Sequence, residues 1–169
     1  QNQDVRKLMK FTSWFLLALT LFACTDNSVL SDRSLNITLA QKFMDDLFVR
    51  GDMSAVRAAM HEDFTFTYMG NIEGVGGIEH TQESFFNNHV PLVGELLPEG
   101  IVLTTEYAIA DNQGVALIMV GDSRGINGEY DNEYVFTFKI NDGLILSIRE
   151  YNSDLLVATR LYMNKLVEL

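Results

Sequence analysis

The sequence predicts an α+β domain in which a curved antiparallel sheet packs its apolar face on N-terminal helices and a short C-terminal helix closes the chain. Three observations predict it. Apolar residues first recur at three- and four-residue spacing, the period of a helix. From Phe64 the period drops to two, the signature of half-buried strands. The turns between the later strands carry Asn-Gly and Asp-Gly, so neighbouring strands are joined by tight hairpins. Helices followed by such a meander settle as layers around one core. With 169 residues, 47% of them hydrophobic and 21% charged, the chain is long enough for one domain.

Each element has its own signal. Ile37, Ala40, Phe43, Met44, Leu47 and Phe48 mark a helix from about Leu35, with Gly51 where a left-handed cap ends it. The Asn36-Ile37-Thr38 triplet, a glycosylation pattern by spelling, reads as the start of that helix. Asp52 caps a second helix that buries Met53, Val56 and Met60. After Asp63, Phe64, Phe66 and Tyr68 alternate with Thr65, Thr67 and Met69 in a strand. Gly70 to Gly77 is a loop whose glycines match no nucleotide-binding spacing. Thr81 caps a third helix carrying Phe85, Phe86 and Val90, which Pro91 interrupts or ends. Four strands follow near 101–110, 114–123, 129–140 and 144–151, separated by Asp111 to Gly114, Asn127-Gly128 and Asn141-Asp142-Gly143. A short helix near 154–167 completes the chain.

The first 34 residues stand outside that domain. Arg6, Lys7 and Lys10 precede an apolar run from Phe11 to Ala23, roughly 20 Å long as a helix against a hydrocarbon core of about 30 Å. That is a secretory signal rather than a membrane span. It can start at Met9, so residues 1–8 read as an upstream extension and 1–23 as the signal segment. Leu21-Phe22-Ala23-Cys24 resembles the lipobox of bacterial lipoproteins, with Phe22 bulkier than is usual there. The resemblance implies that Cys24 carries the lipid anchor and that the protein is exported to a bacterial cell envelope. Thr25 after the cysteine implies the outer membrane in a Gram-negative host. Residues 24–34 then serve as a tether, and 35–169 form the domain.

Charge and residue usage narrow the partners. Against 12 Lys+Arg stand 23 Asp+Glu, for a net charge of −11. A surface this acidic repels phosphate backbones, so nucleic acid is no partner. Anionic membrane repels it as well, which leaves the lipid on Cys24 as the means of staying there. Cys24 is the single cysteine, so no disulfide forms within the chain. Histidines at 61, 80 and 89 lack metal-ligand spacing and read as surface or capping residues, and neither a metal nor a cofactor is expected.

Several motifs together resemble the SnoaL-like branch of the nuclear transport factor two-like superfamily. They are the helix ending in Gly51-Asp52, the strand Tyr130-Asp131-Asn132-Glu133-Tyr134-Val135-Phe136, the hairpin at Asp142-Gly143-Leu144-Ile145, and Arg149-Glu150-Tyr151. The resemblance covers residues 35 to about 165. It implies a cone enclosing an apolar pocket, often in a homodimer. Members include cyclases, isomerases, hydrolases, dehydratases and binding-only modules, so the fold alone does not give the function. Two positions depart from the pattern: Ser153 followed by Asp154 where an Asp is common, and His80 where a Gly is common.

Ketosteroid isomerases in this superfamily need a carboxylate base, a tyrosine donor and a protonated aspartic acid. Counted from Gly51-Asp52, the donor position falls on Met44 and the base position on Tyr68; counted back from Phe138, the acid position falls on Tyr134. None of the three groups is retained, which argues against that activity. What remains is a pocket walled by Phe43, Phe64, Phe66, Phe136 and Phe138, with Tyr68, Asn132 and Tyr134 as polar groups. The ligand-binding candidates are Phe43, Tyr68, Asn132, Tyr134 and Phe136, suited to a small apolar or aromatic molecule. The same side chains could instead simply fill a core.

Two functions stay open. One is a membrane-tethered binding domain. The other is a SnoaL-like enzyme, a cyclase, isomerase or hydratase working through an enol. For the enzyme, Asp122 and Glu106 are the candidate catalytic bases and Tyr68 or Tyr134 the donor. Alternation with Ile101, Leu103, Tyr107 and Ile109 puts Glu106 on the less apolar face of its strand.

Overall fold

The computed structural model describes residues 25–167. The signal segment and Cys24 lie outside them. Helix α1 (Thr25–Met44) runs on as a wide, π-helical turn, Asp45–Arg50. It therefore opens ten residues ahead of the periodic pattern, and the stretch 25–34 is helical. Asn36 is not a helix start. It sits buried on the middle of α1, and its Nδ2 donates to the Asp111 carbonyl at 3.1 Å. Gly51 ends the turn at φ 63°, a left-handed conformation that costs a residue with a Cβ roughly 1 kcal/mol. Asp52 caps α2 (Met53–Ala58) by accepting from the Ala55 N–H at 3.0 Å.

Strand β1 (Met60–Tyr68) starts earlier than its alternation suggests, because Met60 already pairs with Ile145 across a register shift. Short β2 (Glu79–Thr81) leads into α3, built from Gln82–Ser84, a π-helical Phe85–His89 and Val90–Leu96. Pro91 does not end this helix. The preceding wide turn takes up the lost N–H and the ring clash, and the helix continues to Leu96. The remaining strands are β3 (Ile101–Ala110), β4 (Gly114–Gly125), β5 (Gly128–Glu129), β6 (Asn132–Asn141) and β7 (Leu144–Tyr151). The strand expected over 129–140 is thus split at Tyr130-Asp131. Helix α4 spans Asp154–Leu156 and Val157–Leu161, shorter than the expected 154–167.

The sheet is curved and open, in the order β2-β1-β7-β6-β4-β3 with β5 paired to β4. Its hairpin strands are antiparallel, as the turns predict. β1 pairs with β7 in parallel, however, so the sheet is mixed. This pairing joins the first strand to the last, and no local turn signal encodes it. Among the described residues no helix is long and apolar enough to cross a membrane.

Register fixes which side chains share the concave face. One row across it reads His80, Phe66, Ile148, Phe138, Val115, and the next reads Tyr68, Glu150, Phe136, Leu117. Apolar members of both rows are buried, and Phe43 of α1 closes on them with its ring 6.1 Å from that of Phe138. Phe64 packs edge-on against Phe85 at 5.7 Å. The alternation on β3 fails beyond Thr105. A bulge between Thr105 and Tyr107 reverses the faces, so Tyr107 and Ile109 are 56% and 62% exposed while Ala108 and Ala110 turn inward.

Candidate functional site

Between the concave face and helices α1, α3 and α4 lies a cavity of about 380 Å³, within the range of small-molecule sites. Its walls include Phe43, Phe66, Tyr68, Phe85, Tyr134 and Phe136, with aliphatic side chains of α1 and α3 completing them. The Tyr134 and Phe136 rings lie nearly parallel, 5.5 Å apart, and give one flat aromatic wall.

Four of the five expected ligand-binding residues reach this space: Phe43, Tyr68, Tyr134 and Phe136. Asn132 does not. It is buried as a structural link, its Oδ1 accepting from the Glu133 and Ser153 N–H groups at 3.0 and 3.2 Å while Nδ2 donates to the Tyr130 hydroxyl at 3.2 Å. Phe64 and Phe138 belong to the packed core rather than to the cavity lining. Neither proposed base is at the site. Glu106 sits at the β3 bulge and Asp122 near the end of β4, and both are exposed.

The carboxyl that does face the cavity is Glu150, on the concave face between Tyr68 and Phe136. Burial pushes it up to about 7, against which a hydrogen bond from Asn152 Nδ2 to its Oε1 at 2.8 Å acts weakly. Around it stand Tyr68, Tyr130 and Tyr134. Burial raises Tyr130 to about 12 and holds Tyr134 and Tyr68 higher still, the latter aided by its hydrogen bond to a carboxylate. All three phenols are therefore neutral near pH 7, and Tyr68 is no base.

Tyr68 is positioned by Asp154, the carboxylate that follows Ser153. The Tyr68 hydroxyl donates to Asp154 Oδ1 at 2.6 Å, and the Asn71 N–H donates to Oδ2 at 2.9 Å. Ser153 caps α4 by accepting from the Leu156 N–H at 3.5 Å, which aims the helix start at this pair. Gly70 runs past so closely that a Cβ there would land on the Tyr68 hydroxyl and the Asp154 carboxylate. The glycine-rich loop is thus fastened to α4, and its Gly74, Val75 and the following Ile78 help roof the cavity.

At the opposite end are two histidines that the sequence placed on the surface. His80 and His89 both line the cavity, with rings 5.1 Å apart, and His89 packs on Phe66 at 4.3 Å. Burial lowers His80 and brings His89 down to about 4, helped there by its neighbour. Both rings are neutral at physiological pH. His61 stays outside, where its Nδ1 accepts from the Asp63 N–H at 3.1 Å. Among the described residues no three His, Cys, Asp or Glu side chains gather in a metal-binding arrangement.

Sequence parity could have found Glu150, because Ile148 is an inward residue and Glu150 follows it two positions on. His89 carried a weaker signal, at four positions from Phe85 on one helix face.

This fold is that of the nuclear transport factor two-like proteins. An NTF2-like protein from Burkholderia xenovorans LB400 superposes with a TM-score of 0.63 at 18% identity, over 76% of this chain and 97% of that one. A candidate SnoaL-like polyketide cyclase from Jannaschia sp. CCS1 gives 0.62 at 15% identity, over 79% and 95%. PrhC from Penicillium brasilianum NBRC 6234 gives 0.63 at 19%, over 78% and 91%. No protein-family model matches the sequence, and no curated protein matches it.

Proposed function

We propose that the domain is a small-molecule-binding module of the SnoaL-like type, which holds a small apolar or aromatic ligand in the cone and is kept at the cell envelope by a lipid on Cys24. The observation that carries the binding half is the cavity itself: about 380 Å³ of aromatic and aliphatic wall with its hydrogen-bonding groups gathered at two ends. A domain of this size that merely packed its core would close such a space, since interiors are filled to crystal-like density. The uncharged dye N-phenyl-1-naphthylamine tests it. Its fluorescence should rise saturably with one dye per chain, and Val93→Trp, which fills the cavity from α3, should abolish the rise. A folded parent protein that gives no saturable signal contradicts the proposal. For the anchor, a tagged fatty acid should label the parent protein in cells and not Cys24→Ala.

An enzymatic reading is favoured by one observation, the Glu150 carboxyl held near neutrality, where a general acid or base works best. Glu150 then takes the role expected of Asp122 or Glu106. Exchange of the α-protons of 2-tetralone into deuterated water, present in the parent and lost in Glu150→Gln, would support it.

A further inference from the structure

Glu150 is the only carboxylate among the cavity-lining residues, and that lining contains no lysine or arginine. Among the described residues no ion pair reaches it. Its Oε1 is taken by Asn152, while nothing among the described residues donates to Oε2. Behind it Asn152 Oδ1 is buried with no partner in the protein. Groups packed around Glu150 are neutral: Tyr68 from β1, Tyr130 and Tyr134 from the β6 side, with Tyr162 after α4 beside Tyr130. Asp154 is occupied by Tyr68 and Asn71. His80 stands on β2, across β1 from β7 and on the order of 10 Å away at ~4.8 Å per strand and ~3.3 Å per residue, while His89 of α3 packs over Phe66 of β1.

A carboxylate drawn partly out of water, as Glu150 is, is costly unless it is paired with a cation. Here the protein supplies none, while Tyr68, Phe136 and Tyr134 line the same cavity with rings whose faces attract cations. The net charge of −11 draws cations towards the molecule and repels anions. We propose that the ligand is a lipophilic amine: an apolar, preferably aromatic body lying on the Tyr134–Phe136 wall, with one protonated nitrogen paired to Glu150. This rests on the reading of the cavity as a ligand site and narrows it to a chemical class. An alcohol of the same shape would reach Glu150 but leave its charge unpaired, and a carboxylic acid would be repelled.

Calorimetric titration of the full chain with 1-naphthylmethylamine, 1-naphthylmethanol and 1-naphthoate at pH 8 tests it. The amine should bind at least tenfold more tightly than the alcohol, and the naphthoate most weakly. Glu150→Gln should remove the amine's advantage over the alcohol. In the parent protein the amine's advantage should shrink between pH 8 and pH 5 as Glu150 takes up a proton, an arm that needs no variant. Equal binding of amine and alcohol, or an amine preference that survives Glu150→Gln, overturns the assignment while leaving the cavity an apolar ligand site. If none of the three binds, the cavity reading falls with it.

Discussion

Asp46, which is buried, and Glu150, which is half-buried in the cavity wall, are acidic side chains whose surroundings have opposite effects. Asp46, in the wide turn after α1, is 2% exposed but receives Lys42 through one oxygen and Arg50 at 2.6 Å through the other. These two cations lie one helical turn to either side and keep their own charges largely in water, at 60% and 50% exposure. Their hydrogen bonds hold the Asp46 carboxyl below its ordinary value in spite of burial. Glu150 has no such partners, and burial drives it up to about 7. The pairing at Asp46 is written in local sequence, at i and i+4 on one helix face. At Glu150 the isolation is a product of the sheet, which sets the carboxyl between Tyr68 and Phe136 from two other strands. One carboxylate is structural and satisfied; the other is left for something that enters the cavity.

The largest effect expected from breaking this contrast is at Glu150. Its folded value lies above the unfolded one, so the native state holds the extra proton and stability falls as pH rises from about 4.5 through 7. The shift corresponds to roughly 3 kcal/mol. Urea unfolding should therefore find Glu150→Gln more stable than the parent by up to about 3 kcal/mol at pH 8 and equal to it at pH 4. A variant that is equally stable, or less so, at both pH values would contradict it. Next in size is Tyr68→Phe, which removes a hydrogen bond to a charged acceptor and frees the glycine-rich loop from α4. A loss of about 2 kcal/mol is expected, with faster amide exchange at Asn71. Unchanged exchange there would mean that Asp154 does not fasten the loop through Tyr68.

The smallest effect belongs to Asp46→Asn. Its folded value is depressed, so the stability it contributes is present above the ordinary carboxylate range and is lost as pH falls through the folded value. Thermal unfolding should show the variant less stable at pH 7 and the difference closing in strong acid. A difference that persists there would make the role of Asp46 one of packing.

The sequence discloses what is local. Gly51 as a left-handed cap, the capping Asp52 and Thr81, and Gly128 and Gly143 at positive φ each act within a few residues, and each sits in the structure as its chemistry predicts. What it hides depends on partners far along the chain. The β3 bulge arises from pairing with β4 and turns Tyr107 and Ile109 outward, against a clean alternation. β1 finds β7 in parallel across almost the whole domain. The site shares this division. Phe43, Tyr68, Tyr134 and Phe136 were legible as inward aromatics, because large apolar rings on a strand or helix face have few other places to go. His80 carried no such signal, and the parity that points Glu150 inward and the helix spacing that points His89 inward are weak ones, since polar residues in such positions are usually solvated and the tertiary cavity decides.

A titration of the Glu150 side-chain carboxyl by carbon-13 NMR, assigned by its disappearance in Glu150→Gln, tests the central claim most directly. The structure predicts a midpoint close to 7 in the ligand-free protein, falling towards the ordinary glutamate value when 1-naphthylmethylamine is bound. A midpoint already at the ordinary value, about 4.3, in the free protein would show that Glu150 is hydrated or paired, and would contradict the account of the cavity given above.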